Sequence, residues 1–465
     1  MKNKPKEPPR IAVKFANIVF VLGILYSILL VVYAIYKIYK PSLPEVVRVP
    51  LAFYVSSMIC GGVFATLFGL GLKRLNNNLK VNLSVLFFTI GITFYGFETY
   101  LNLEFHRSGD TRTKMEVLND LRDTGLEILP NILPGAFAKS NGLASKKGRI
   151  YPLGTISNST TIFDNESGYY PIIETDEHGF NNPKGFYIKN NVDIVLTGDS
   201  FTEGYSVFSH ESISAVLRQL DFNSISVGKA GNGPLVELAA LKEYAEPLKP
   251  KIVLWLYYGN DLSDLSRDMK SSILRKYLNE DNYSQNLISR QEEIDGVLIN
   301  YIPVKWKSIR EQEKKRGKEK IIEILKLAKL RKMINLKPAI IPAAPTSTST
   351  SISIFRNILQ KSKQMVLGWG GKMYFIYLPT FIRYSTDDEL KNNDFVMQTA
   401  TELDIPIIDI HKEVFDPHPD PLSLFSSLII ARFHHHYTAE GYRLIAEAIG
   451  KRLEVDDYVP IKSKK

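Results

Sequence analysis

The chemistry in this 465-residue chain gathers in four short stretches: Gly198-Asp199-Ser200, the glycine-rich block Gly228 to Pro234, Tyr257 to Asp261 reading YYGND, and His434, His435 and His436. Serine, glycine, asparagine and histidine in that order supply a nucleophile, two oxyanion donors and a base. A serine hydroxyl is too weakly acidic to attack a carbonyl unaided, and histidine titrates near neutral pH, so the pair suits acyl transfer. An asparagine amide and a glycine N–H can meet the resulting oxyanion without changing their own ionisation. Each piece alone has a plainer reading: a turn for Gly-Asp-Ser, a turn before Pro234 for Gly231 and Gly233, a helix N-cap for Asn260. Adjacent histidines point different ways, and no Cys or carboxylate beside them has ligand-like spacing, so neither a metal nor a cofactor is expected.

Five apolar runs around these residues read as buried strands: Ile194 to Leu196, Ser224 to Val227, Ile252 to Leu256, Met373 to Leu378 and Ile405 to Ile410. Helical patterns at about Glu211 to Leu220, Leu235 to Ala245, Asp388 to Glu402 and Ala439 to Leu453 alternate with them, as in a parallel sheet covered on both faces. The first three motifs then lie at carboxyl strand ends, the edge where such sheets bind ligands. The third and fourth strands are too far apart for an ordinary loop, which predicts a helical insertion at about 265 to 365. Inside it, Lys305 to Lys337 is dense in Lys and Arg with Ile321, Ile322, Leu325 and Leu330 interleaved. That pattern suits a packed helix with a solvated face, or a face for an anionic membrane or an acidic polymer. Ile340 to Ser351 resembles a surface linker.

Ahead of the sheet, residues 102 to 190 predict a neck helix at Thr111 to Thr124, stopped by Gly125, and a small β-rich annex. Residues 1 to 101 form a membrane domain by expectation. Phe15 to Tyr36, Val49 to Leu72 and Val81 to Phe97 carry no charge, which predicts transmembrane helices at about 15 to 36, 51 to 72 and 81 to 101. This region holds 11 basic and 3 acidic residues, leaving 47 against 46 for the rest, so the net charge of +9 belongs mostly to the membrane part. No nucleic-acid footprint remains. Lys2, Lys4, Lys6, Arg10 and Lys14 precede the first span, and Lys73, Arg74 and Lys80 lie between the second and third. The positive-inside rule makes both segments cytoplasmic and residues 191 to 465 extracytoplasmic, in a multi-pass protein of the cytoplasmic membrane. The single cysteine, Cys60, excludes an intrachain disulfide framework.

GDS with Gly204 four residues after the serine, the glycine block, GND, and a histidine five residues before Gly441 together resemble the SGNH (GDSL) hydrolases. The resemblance spans Ile194 to Leu453 apart from the insertion. It implies a three-layer αβα, flavodoxin-like fold with a five-stranded parallel sheet. It also implies Ser200 as nucleophile, Gly231 and Asn260 as oxyanion donors beside the Ser200 N–H, and His436 as general base. One position departs from the family: Phe433 stands where an Asp is usual, three residues before the histidine. Either another carboxylate orients His436, with Asp420 the first candidate and Asp416 the second, or a Ser-His dyad operates, or the site is inactive. The expected activity is a serine ester hydrolase or O-acyl transferase acting on acyl esters of envelope glycan. Two alternatives stand beside it: a lipid esterase, and a catalytically impaired domain that binds acylated glycan or scaffolds envelope assembly partners.

Overall fold

A computed structural model describes residues 7–39, 47–48, 51–105, 109–188, 191–334, 341–342, 349–385, 393–426 and 435–458. The expected linker lies mostly outside these residues, as do Phe433 and His434. The chain divides into two compact units, one of Met1–Ser108 with Lys314–Thr346, the other of Gly109–Glu313 with Ser347–Lys465.

In the first unit, α1 (Arg10–Tyr39), α2 (Leu51–Arg74) and α3 (Asn77–Phe105) are long and apolar enough to cross a membrane. Their large side chains face outward, among them Leu22, Tyr26, Leu67 and Phe88, as suits a lipid solvent. Close packing uses small residues: a Cβ at Gly61 would stand 2.7 Å from Val31 and one at Gly71 would stand 2.4 Å from Phe20.

The second unit is built on a parallel sheet of β1 (Ile194–Thr197), β2 (Ser224–Ser226), β3 (Ile252–Tyr257), β4 (Lys372–Tyr377) and β5 (Ile407–Asp409). Its order is β5-β4-β3-β1-β2, the doubly wound arrangement with helices on both faces. Every residue of β1 and β3 is buried, which explains why they read as unbroken apolar runs. Val195, Val253 and Phe375 pack into one layer and Leu196, Leu254 and Ile376 into the other, so the sheet separates two apolar cores. The three-layer α/β expectation holds.

Much of the stretch between β3 and β4 joins that core. Ile273, Leu274, Leu287, Ile294 and Leu298 are buried in the same layer as Val253 and Trp255. A helix runs over Lys114–Asp123, within the stretch expected to be helical, and opens with a Thr113/Glu116 capping box, which satisfies two first-turn amides reciprocally. It packs Val117 and Leu118 on Ile128, Ile162 and Trp306. The annex carries a three-stranded sheet of Ile128–Leu129, Thr160–Ile162 and Ile172–Glu174.

One buried ion pair ties the end of β2 to the segment after β1. Lys229 Nζ meets Glu203 Oε1 and Asn131 Oδ1, while the Ala230 N–H donates 2.6 Å to Glu203 Oε2. Both charged side chains are at most 1% exposed. Replacing Lys229 by Met would leave a buried carboxylate without its cation, costing about 3–5 kcal/mol. Denaturant unfolding of the variant should show that loss; an unchanged midpoint would contradict it.

Candidate active site

The turn after β1 needs its glycine. A Cβ at Gly198 would lie 2.1 Å from Thr202 Oγ1 and 2.8 Å from the Leu256 carbonyl, so any side chain would push β1 and β3 apart. Asp199 then caps the short helix α4 (Ser200–Glu203) by accepting from the Phe201 N–H at 3.0 Å. Ser200 is the first residue of that turn, where the backbone N–H has no helical partner of its own.

His436 comes to Ser200 from the far end of the chain. It lies just ahead of α10 (Ala439–Val455), whose N-cap Thr438 accepts from the Gly441 N–H at 3.2 Å. Ser200 Oγ is 2.8 Å from His436 Nε2, and its distance to Asp199 Oδ2 is 3.5 Å, so the hydroxyl proton goes to the imidazole. His436 Nδ1 lies 2.8 Å from Glu166 Oε2. A carboxylate only accepts, so Nδ1 carries the proton and Nε2 is left as the acceptor facing serine. The same Glu166 oxygen accepts the His436 backbone N–H at 3.2 Å and the Ser426 hydroxyl at 3.3 Å. Serine, histidine and carboxylate thus form one continuous relay.

Neither carboxylate expected from the sequence takes part. Asp420 and Asp416 are exposed. Asp420 is the N-cap residue of a 3-10 turn, Pro421–Leu424; its carbonyl accepts from Ser423, and its N–H donates to His418 at 3.1 Å. That is turn chemistry, and it corrects the assignment of Asp420 as the orienting acid. Glu166 sits in the annex, on the loop after Thr160–Ile162. Asn165 holds that loop by donating to the Asp110 carbonyl at 2.8 Å and accepting from the Gly168 N–H at 2.8 Å. No spacing rule points to a residue 270 positions from its histidine; the one signal was a missing acid together with an annex of unassigned purpose.

The other two expected site residues meet through one side chain. Gly231 has φ +72°, a left-handed conformation open to glycine, with free space where a Cβ would be. Asn260 occupies the N-cap position of α7 (Asp261–Asp268), but its side chain caps nothing. Its Nδ2 instead donates to Asp264 Oδ2 at 2.8 Å, and the amide also lies against the Asp199 carboxyl. Arg267 holds Asp264 through Nη1 at 2.8 Å and the Gly231 carbonyl through Nη2 at 2.5 Å. A single guanidinium therefore fixes both segments. His435 faces elsewhere: its Nδ1 donates to the Ser426 carbonyl at 2.8 Å and its ring packs on Phe381.

Burial and charge set the titration of the site. For His436, burial disfavours the cation, but the attraction and hydrogen bond of Glu166 outweigh it and the pKa rises above 6.5. For Glu166, burial likewise opposes the charge and the imidazole overrides it, taking the carboxylate below 4.5. The raised histidine contributes stability below pH 6.5 that disappears as pH rises through its folded value. The lowered carboxylate contributes stability above pH 4.5 that disappears as pH falls through its own. Behind the site, burial pushes Asp199 up to about 6 and Asp268 up to about 7, and holds Glu237 and Asp261 well above the carboxylate range.

No family model matches the chain, and no curated protein matches it. Among solved structures it is similar to a protein described as lipolytic and of the G-D-S-L family from Desulfitobacterium hafniense, at 15% identity and TM-score 0.31, covering 56% of this chain and 97% of that one. It is also similar to a lipase/acylhydrolase from Enterococcus faecalis, at 12% identity and TM-score 0.33, covering 58% and 100%. An acetyl xylan esterase matches at 12% identity and TM-score 0.31, covering 56% and 98%. At these values the functional reading rests on the geometry of the site.

That geometry has a titration consequence. Reaction of Ser200 with a fluorophosphonate needs neutral His436, so labelling should rise with pH through a midpoint above 6.5. In Glu166→Gln the charge is gone and burial remains, so the midpoint should fall below 6.5. A midpoint that ignores Glu166→Gln but moves in Asp420→Ala would restore the sequence-based choice.

Proposed function

We propose that this chain is an SGNH-type serine ester hydrolase or O-acyl transferase, anchored by α1, α2 and α3 with its catalytic unit outside the cytoplasm. The relay of Ser200, His436 and Glu166, at 2.8 Å for each link, carries the reading. Ser200 Oγ attacks an ester carbonyl and passes its proton to His436 Nε2, while Glu166 stabilises the imidazolium. The carbonyl oxygen becomes an oxyanion, for which the N–H groups of Ser200 and Gly231 and the Asn260 amide are the donors. Asn260 spends one amide hydrogen on Asp264 and turns the other from Asp199 to the oxyanion as the complex tightens. Collapse expels the alcohol, which takes the proton back from His436. Water or a second hydroxyl, deprotonated by the same histidine, then releases the acyl group from Ser200.

A carboxylate placed in register with the imidazole argues against a domain that kept the fold only to bind. A catalytic unit anchored on the outer side of the membrane fits acyl esters of envelope glycan as the substrate class. The lipid-esterase reading separates from it by assay: turnover of acetylated polysaccharide supports the glycan reading, and turnover of dispersed phospholipid alone supports the other.

Ser200→Ala should abolish labelling and aryl acetate hydrolysis while leaving the unit folded; full activity in that variant would end the nucleophile assignment. Asn260→Ala should slow turnover by roughly 10² to 10³. Arg267→Gln should slow it by about 10-fold to 10², since it loosens donors without removing them. Topology is checked by reporter fusions. One after Lys465 is expected outside and one between Leu75 and Leu79 inside; a cytoplasmic C-terminus would rule out an envelope-glycan substrate.

A further inference from the structure

The basic stretch singled out in the sequence has no part in the relay, and its structure gives it a different use. Helix α8 (Gln291–Leu325) ends at the third span: the Tyr95 hydroxyl donates to the Leu325 carbonyl at 3.1 Å. The next helix, Ala328–Met333, begins on Glu98, whose carboxylate accepts the N–H groups of Lys329 at 2.9 Å and Leu330 at 2.7 Å. Glu98 is buried, and it is the first charged residue after the apolar run Val81 to Phe97. It therefore marks the level where the hydrocarbon of the bilayer gives way to headgroups. A carboxylate at that depth needs partners, and the two backbone amides supply them.

The chain held at that level is both basic and apolar. Residues 314 to 334 hold nine Lys and Arg against Glu319 and Glu323. Along α8, Lys314, Lys318, Ile321, Ile322 and Leu325 follow at i, i+4, i+7, i+8 and i+11, which is one helix face. All five are exposed, with Ile321 and Leu325 each at 61%. Glu319 and Glu323 fall on the opposite side by the same geometry. The face runs from lysine to isoleucine and leucine as it approaches its anchor on the third span. Lysine stems can lie along apolar surface while their ammonium groups reach phosphates.

We propose that residues 314 to 334 form an interfacial segment that lies on the leaflet at the C-terminal end of the third span and binds anionic phospholipid headgroups. The apolar side chains enter the acyl boundary and the lysines take the phosphates, so both faces of the segment's chemistry are satisfied by one lipid surface. An acidic polymer would satisfy the lysines but leave Ile321, Ile322 and Leu325 in water, which is why lipid is the occupant chosen. This inference is independent of the esterase reading.

The test uses the full chain with Cys60→Ser in nanodiscs, either of phosphatidylcholine or of phosphatidylcholine mixed with phosphatidylglycerol. A single cysteine introduced as Ile322→Cys or as Glu319→Cys carries an environment-sensitive nitrobenzoxadiazole probe, read against a lipid with a nitroxide near its headgroup. Quenching at 322 should exceed that at 319 by at least about twofold and should grow with phosphatidylglycerol. Changing Lys314, Lys315, Arg316 and Lys318 together to Glu should remove that growth; the set changed to Gln serves if the first variant does not accumulate. Glu98→Leu should release the segment and cut quenching at 322. Equal quenching of the two faces, a water-exposed probe at 322, or shielding at 322 without lipid quenching, as in contact between two copies, would each overturn the proposal. So would displacement by an acidic polysaccharide but not by salt-matched lipid vesicles.

Discussion

The site depends on one hydrogen bond, from His436 Nδ1 to Glu166 Oε2. It selects the imidazole tautomer that accepts from serine, and it couples the annex to the sheet. Because Glu166 is buried, its charge is tolerable only while the imidazole and the backbone N–H of His436 face it. The same partnership that leaves Nε2 to accept from Ser200 therefore also holds the annex loop. A site of this kind is lost as a unit: freeing the loop would expose the carboxylate to water, and His436 would lose both its orientation and the charge that raises its basicity.

A second constraint comes from the acids behind Ser200. Asp199, Glu237, Asp261, Asp264 and Asp268 crowd a region where Arg267 is the cation that contacts Asp264 and Asp268. Most of these carboxyls cannot be ionised together in so little dielectric, and burial accordingly raises several of them. Arg267 spends its charge where it also has a structural use, on Asp264, which holds Asn260, and on the Gly231 carbonyl. Gly135 closes over that guanidinium, since a Cβ there would come within 3.1 Å of Arg267 Cζ and of the Gly231 oxygen. The Gly231 and Asn260 segments, on different strands' connections, are thereby held by one rigid fork.

The membrane part obeys a different solvent. Its spans show apolar side chains outward and small residues inward, and the one carboxylate buried at the end of the third span is met by backbone amides of Lys329 and Leu330. The stretch from 314 onward thus belongs to the unit of the spans although it lies between two strands of the sheet. Chain order and spatial grouping part company because a long helix carries the chain from one to the other.

Local chemistry made much of this protein legible in its sequence. Uncharged runs of about 20 residues have few fates, and the three expected here coincide with three helices long and apolar enough to cross a membrane. Strands buried on both faces must be continuously apolar, and β1 and β3 were found to within a residue or two of their ends. Gly-Asp-Ser, Gly231, Asn260 and His436 could be singled out as candidates because each follows, or precedes, an element with a strong local signature. What tertiary structure alone decided was which carboxylate meets His436. Asp420 was favoured because it lay close along the chain, and it turned out to serve its own turn; Glu166 lies 270 residues from His436 and is brought there by the packing of the annex. A side chain's partner across the core is set by which surfaces bury each other. That is a property of the assembled fold, and no local pattern in the residues around Glu166 encodes it.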